Sequence, residues 1–139
     1  MSVAFVLGNG LSRKPIPLEP LKQHGKVYAC NAVYRTFTPD YLVAVDAKMI
    51  NEICTADAHR RMPVWTNPNR AYKKWNGLNF FEPSLGWSSG PTALYLATQK
   101  EHQLIYILGF DFIGNQDGKL NNIYGDTPNY KQNTDVATY

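Results

Sequence analysis

Five short stretches of this chain set polar residues where an anion could be held: Gly8-Asn9-Gly10 with Ser12, Asn31, Asp46, Ser88-Ser89-Gly90, and Gly109 with Asp111. Gly8 and Gly10 let the backbone bend sharply and approach a ligand with no Cβ in the way. Asn9 can donate and accept through one amide, and Ser12 can cap the next turn or touch an oxygen. Such a bend suits a phosphate. It is not a Walker A loop, because no Gly-Lys-Ser/Thr follows, and it falls short of G-x-G-x-x-G because Arg13 stands at the third glycine position. A tight structural turn between a strand and a helix would explain the same residues. In "WSSGPT", Ser88 or Ser89 is an N-cap and Pro91 falls in the first turn. The free N–H groups and positive dipole end of that helix make an anion site. Asp46 and Asp111 are the candidate catalytic carboxylates. Each also has a structural reading, Asp46 as a helix N-cap and Asp111 as an acceptor for loop N–H groups. Together they could hold Mg²⁺ with a diphosphate ligand, since hard oxygen donors suit that ion.

The elements that must position these residues are strands. Apolar runs occupy residues 3–8, 26–31, 41–46, 62–67 and 104–112, and most are continuous rather than alternating, as in strands covered on both faces. Segments 17–25, 46–61 and 89–101 lie between them. The last two have helical spacing, through Met49, Ile50 and Ile53 and through Ala93, Leu94, Leu96 and Ala97. Alternating β and α units predict an α/β fold: a Rossmann-like, mainly parallel sheet with helices on both faces, in a single domain. Residues 1–125 would form that domain and 126–139 a polar C-terminal tail. Residues 67–87, with Pro and Gly scattered through them, are expected to be a long lid or binding loop. In open α/β sheets ligands collect beyond the carboxyl ends of the strands. Four of those ends, and one helix start, carry the polar residues named above.

Composition bounds the remaining classes. The 139 residues suffice for one core, with 44% hydrophobic and 13% aromatic residues. No run of about 18 apolar residues occurs, so no membrane span is expected. The first residues read as a strand rather than a leader peptide, which makes the cytoplasm the expected compartment. Two cysteines are too few for a disulfide framework, and Cys30 is expected to be a buried thiol. A net charge of +3 permits an anionic ligand without indicating wholesale coating by nucleic acid. Residues 59–75 interleave five Arg/Lys with Trp65, Tyr72 and Trp75. Single-stranded nucleic acid or a sugar acceptor would use such a pattern. A basic surface loop with inward-packed aromatics would also produce it. A homo-oligomer is a further expected partner.

"GNGLS" after the first strand, "CN" closing the second, "SSG" opening a helix and "IYILGFDF" after it recur in that order in one known family. Over roughly residues 3–125 the chain resembles the bacterial sialyltransferases of glycosyltransferase family 42, and more loosely related Rossmann-like nucleotide-binding proteins. The resemblance implies a CMP-sialic-acid-like donor. Asn9 and Ser88 or Ser89 would hold its phosphate, Asn31 would read the nucleotide, and Tyr124 would support the leaving phosphate. Ser12 and Gly109 fall on motif positions as supports. The sequence departs from the family in two places. Asp46 replaces an asparagine, and the general-base histidine beyond the G-x-D-F segment has no counterpart. His24, His59 and His102 all precede that segment, and all three are expected to be exposed. Nucleotide or nucleotide-sugar binding is therefore expected ahead of sialyl transfer, with a minimal glycosyl- or phosphoryl-transferase and a non-catalytic nucleotide-sequestering or nucleic-acid-interacting module both left open.

Overall fold

The structure is a computed structural model and describes residues 2–111, 122–125 and 127–129. The apolar runs form β1 (Val3–Leu7), β2 (Lys26–Cys30), β3 (Tyr41–Val43), β4 (Val64–Thr66) and β6 (Leu104–Leu108). A further strand, β5 (Leu78–Phe80), lies inside the expected long loop. All pairings are parallel, and the single sheet runs β5-β4-β3-β2-β1-β6.

Side chains alternate across each strand, which splits the core in two. Phe5, Leu7, Val27, Ala29, Leu42, Ala44 and Val64 face one side and pack with Met49, Ile50, Ile53 and Cys54 of α1 (Ala47–Thr55). Ala4, Val6, Tyr28 and Val43 face the other and meet Ala93, Leu96 and Ala97 of α2 (Ser89–Thr98). A helix on each face makes apolar residues necessary at consecutive strand positions.

Several boundaries differ from the sequence reading. The segment 46–61 is not one helix. Asp46 starts α1 by accepting from the Lys48 N–H, and Asp57, at φ +57°, breaks the helical path before a short 3-10 turn at Ala58–Arg60. Segment 17–25 holds only a 3-10 turn at Glu19–Gln23. The third strand stops at Val43, and the last at Leu108, where Gly109 turns the chain at φ +75°. Most of the expected tail lies outside the described residues. Its described part, 127–129, docks on the α1 side of the sheet: Arg35 donates to Thr127 Oγ1 and the Pro128 carbonyl, and Asn129 donates to Glu52. Among the described residues no helix is long and apolar enough to cross a membrane.

The order of the strands matters for the site. From β1 to β5 the chain builds outward in one direction. It then passes back over the sheet through α2, which packs on β1, β2 and β3, and adds β6 on the far side of β1. The direction of winding therefore reverses between β1 and β6, and open α/β sheets place their crevice at such a reversal.

Candidate functional site

At that reversal the loops leaving β1 and β6 are laced together. The Gly8 N–H donates to the Leu108 carbonyl (2.7 Å) and the Gly10 N–H to the Gly109 carbonyl (2.8 Å). The two backbones touch so closely that a Cβ on Gly8 would lie 2.5 Å from the Gly109 oxygen, and one on Gly109 2.7 Å from the Gly8 oxygen. Loop-to-loop packing is thus a sufficient reason for both glycines. Asp111 accepts from the Ser12 backbone N–H (2.8 Å) and from its hydroxyl, the structural role open to it in the sequence.

Beneath the turn lies Arg13, 4% exposed although its neighbour Lys14 is in solvent. Its Nε donates to the Gly8 carbonyl (2.7 Å), and one Nη to Asn9 Oδ1 (2.9 Å) and the Tyr124 hydroxyl (3.4 Å). Asn9 completes the knot: its Nδ2 donates to the Cys30 carbonyl (3.1 Å), and its own carbonyl accepts from the Ile123 N–H (2.9 Å). The asparagine amide is therefore tied into the scaffold, joining β1 to β2, and the residue is 8% exposed. No described carboxylate forms an ion pair with Arg13.

The next strand end brings Asn31. It holds a left-handed backbone, φ +55°, and its Oδ1 is buried without a hydrogen-bond partner among the described residues. Asparagine tolerates that conformation better than most residues, but an unmet buried acceptor costs about 1–3 kcal/mol. The amino end of α2 closes the other wall. The Phe110 ring lies against both Gly8 and Gly90, within 3.2 Å of where a Cβ on either would stand. The Ser89 hydroxyl accepts from the Val45 N–H (3.1 Å), pinning the helix start to the end of β3. Ser88 is the N-cap residue, yet its side chain makes no capping bond. The first-turn N–H groups of α2 thus have no cap from Ser88, and helix starts of this kind attract anions.

Contacts thus join Gly8, Asn9, Gly10, Ser12, Gly109, Asp111 and Tyr124 around the β1 and β6 turns, Gly90 meets the same Phe110 ring as Gly8, Asn31 follows the Cys30 carbonyl that accepts from Asn9, and Ser89, after Ser88, is tied to the end of β3. Asp46 is exposed and caps α1, next to Val45, whose N–H donates to Ser89. The Asp46 carboxylate accepts from the Lys48 N–H and that of Asp111 from Ser12. No cluster of three metal-ligating side chains occurs among the described residues.

Other sequence readings resolve as follows. Cys30 and Cys54 are buried free thiols, raised by burial to about 12 and about 11; Arg13 pulls Cys30 the other way and Asp57 adds to the rise at Cys54. His24 is exposed at the end of a 3-10 turn. His59 is buried instead, 7% exposed and edge-on to Trp75. His102 bridges Ser2 and Tyr28. In residues 59–75, Tyr72 is in the core and Trp65 packs on Phe81, so the interleaved aromatics turn inward. The burial of Arg13 and the Arg35–Glu52 ion pair (2.6 Å) had no signal in the sequence. Comparison with protein-family models, curated proteins and solved structures finds no match to this chain.

Proposed function

We propose that this chain binds a nucleotide or nucleotide sugar through its phosphate, in the crevice between the β1 turn, Asn31 and the amino end of α2. The observation that carries the reading is Arg13. A guanidinium stripped of water is stabilised by a counter-charge, and here its bonds go to a carbonyl, an amide oxygen and a phenol. An anion above the Gly8–Gly10 turn would supply the counter-charge that no described carboxylate gives Arg13, and meet the α2 dipole from the other side. The unmet Asn31 oxygen suits a donor on the same ligand, a ribose hydroxyl or an exocyclic amine. The resemblance to the family 42 sialyltransferases points to the same chemistry.

Binding without turnover is the form of this proposal. Transfer to an acceptor needs a base within reach of the acceptor proton. Asp111 is engaged by Ser12, Asp46 caps α1, and Tyr124 lies against Arg13.

Thermal-shift titration with CMP, other nucleotides, nucleotide sugars and pyrophosphate tests the reading, with Ser88→Asp as the discriminating variant. Aspartate is as good an N-cap as serine, so the variant keeps its melting temperature, while its charge repels a phosphate. At about 100-fold excess over Kd the wild-type chain gains roughly 2.7 kcal/mol, and the variant gains none. The proposal fails if none of these ligands stabilises the chain, or if stabilisation survives Ser88→Asp.

A further inference from the structure

Among the described residues, the outer edge of β6 ends the sheet. Edge strands are usually guarded by charge, proline or a bulge, because their open N–H and C=O groups invite pairing. β6 has none of these. Its sequence is Leu104-Ile105-Tyr106-Ile107-Leu108, and it holds three of the six exposed large hydrophobic residues among the described residues, Leu104 (37%), Tyr106 (48%) and Ile107 (48%).

That sequence reads the same in both directions. The hydrogen bonds to β1 settle which groups face outward. The Leu108 carbonyl accepts from Gly8 and the Leu104 N–H donates to Ser2, so residues 104, 106 and 108 turn their polar groups toward β1. Strand alternation then turns the N–H and C=O of Ile105 and Ile107 to the open edge.

We propose that β6 is a self-association surface: two copies of this chain pair their β6 strands antiparallel about a twofold axis through Tyr106, joining their sheets into one. In that register Ile105 of each copy faces Ile107 of the other and exchanges two hydrogen bonds with it, four in all. Tyr106 meets its own copy at a position without ladder bonds, where side chains approach most closely. Leu104 falls opposite Leu108. The sequence palindrome and the outward-facing groups are independent observations, and they agree on one register.

A second copy fits this edge better than an unrelated strand for an electrostatic reason. A twofold axis sets every residue near its own duplicate, so a charge in the strand would meet its like, and like charges placed opposite destabilise a ladder. β6 carries no charge. The area is modest. The exposed parts of Leu104, Tyr106 and Ile107 come to on the order of 250 Å² per copy, and a stable interface buries about 1,200–2,000 Å² in total. The dimer is accordingly one that dissociates on dilution.

Sedimentation velocity across a concentration series tests this, with three variants of the full chain. The wild-type mass rises from monomer toward dimer with concentration. Tyr106→Lys, which sets two ammonium groups on the axis, stays monomeric. Ile107→Pro removes an outward N–H but none of the bonds to β1, and weakens association roughly tenfold or more. Tyr106→Cys forms an intermolecular disulfide on mild oxidation, in a background where Cys30 and Cys54 remain buried, and Ile107→Cys forms little. A wild-type chain that stays monomeric throughout overturns the proposal. So does a dimer indifferent to Tyr106→Lys and Ile107→Pro, or one that crosslinks better through position 107 than 106.

Discussion

Asn9 does more for the scaffold than its place in a glycine turn suggests. Its amide accepts from a buried cation on one side and donates to a neighbouring strand on the other. Asn9→Ala would leave both the Arg13 donor and the Cys30 carbonyl short of a partner in a dry site, at a cost of about 2 kcal/mol. Urea denaturation measures this, and a change below about 0.5 kcal/mol would show that the two bonds are dispensable. Glu52 gives a pH-dependent counterpart. Burial alone would raise its pKa, but bonds from Arg35, Tyr34 and Asn129 outweigh burial and lower it. A carboxylate depressed in the folded state adds stability above its unfolded pKa and loses it as pH falls through the folded value. The wild-type chain should therefore lose stability on acidification below about pH 4.3 more steeply than Glu52→Gln. Parallel melting curves of the two proteins check it. The tight β1 turn was legible in the sequence, since Gly8-Asn9-Gly10 after an apolar run suits a sharp bend, and loop packing accounts for the glycines there. The burial of Arg13 was not. Arg13 and Lys14 are adjacent cations, and what sets them apart is packing of the Arg13 side chain against the Gly8–Asn9 turn, Gly109 and Tyr124, the last two about a hundred residues away in sequence.

At the scale of elements, the β1 and β6 loops form one unit. Gly109→Ala has to accept a left-handed backbone and a Cβ 2.7 Å from a carbonyl oxygen. Strain of this kind costs of order 1–3 kcal/mol, and the steric clash adds to it. Equilibrium unfolding should show at least that loss, and a neutral outcome would mean the loops can separate without penalty. Asp46→Ala should cost about 1 kcal/mol through the lost cap of α1. β1, β2 and β3 were readable because helices cover both faces of the sheet there, whereas β6 is as apolar in sequence although Leu104, Tyr106 and Ile107 are exposed. β5 was not readable. It has three residues between Gly77 and Phe81, too few for any period to show, and pairing with β4 is what extends it. The end of α1 was equally hidden: nothing in "TADAHRR" marks Asp57 as the residue that turns left-handed.

For the whole molecule, the two buried thiols report on integrity. A thiolate is the reactive form, and both cysteines are held protonated and out of solvent. A thiol reagent near pH 8 should find almost none in the folded chain and two in denaturant. Prompt reaction of either in native buffer would show local opening of β2 or α1.

The path through α2 has a consequence for synthesis. β1 finds its first neighbour, β2, soon after it is made, but its other neighbour pairs Leu104 with Val3, about a hundred residues later. At a translation rate of about 5–20 residues per second, that gap lasts roughly 5–20 s. Throughout it, the strand bearing the glycine turn has one flank open to any extended segment nearby, whether from the next ribosome on the message or from a chaperone holding the nascent chain.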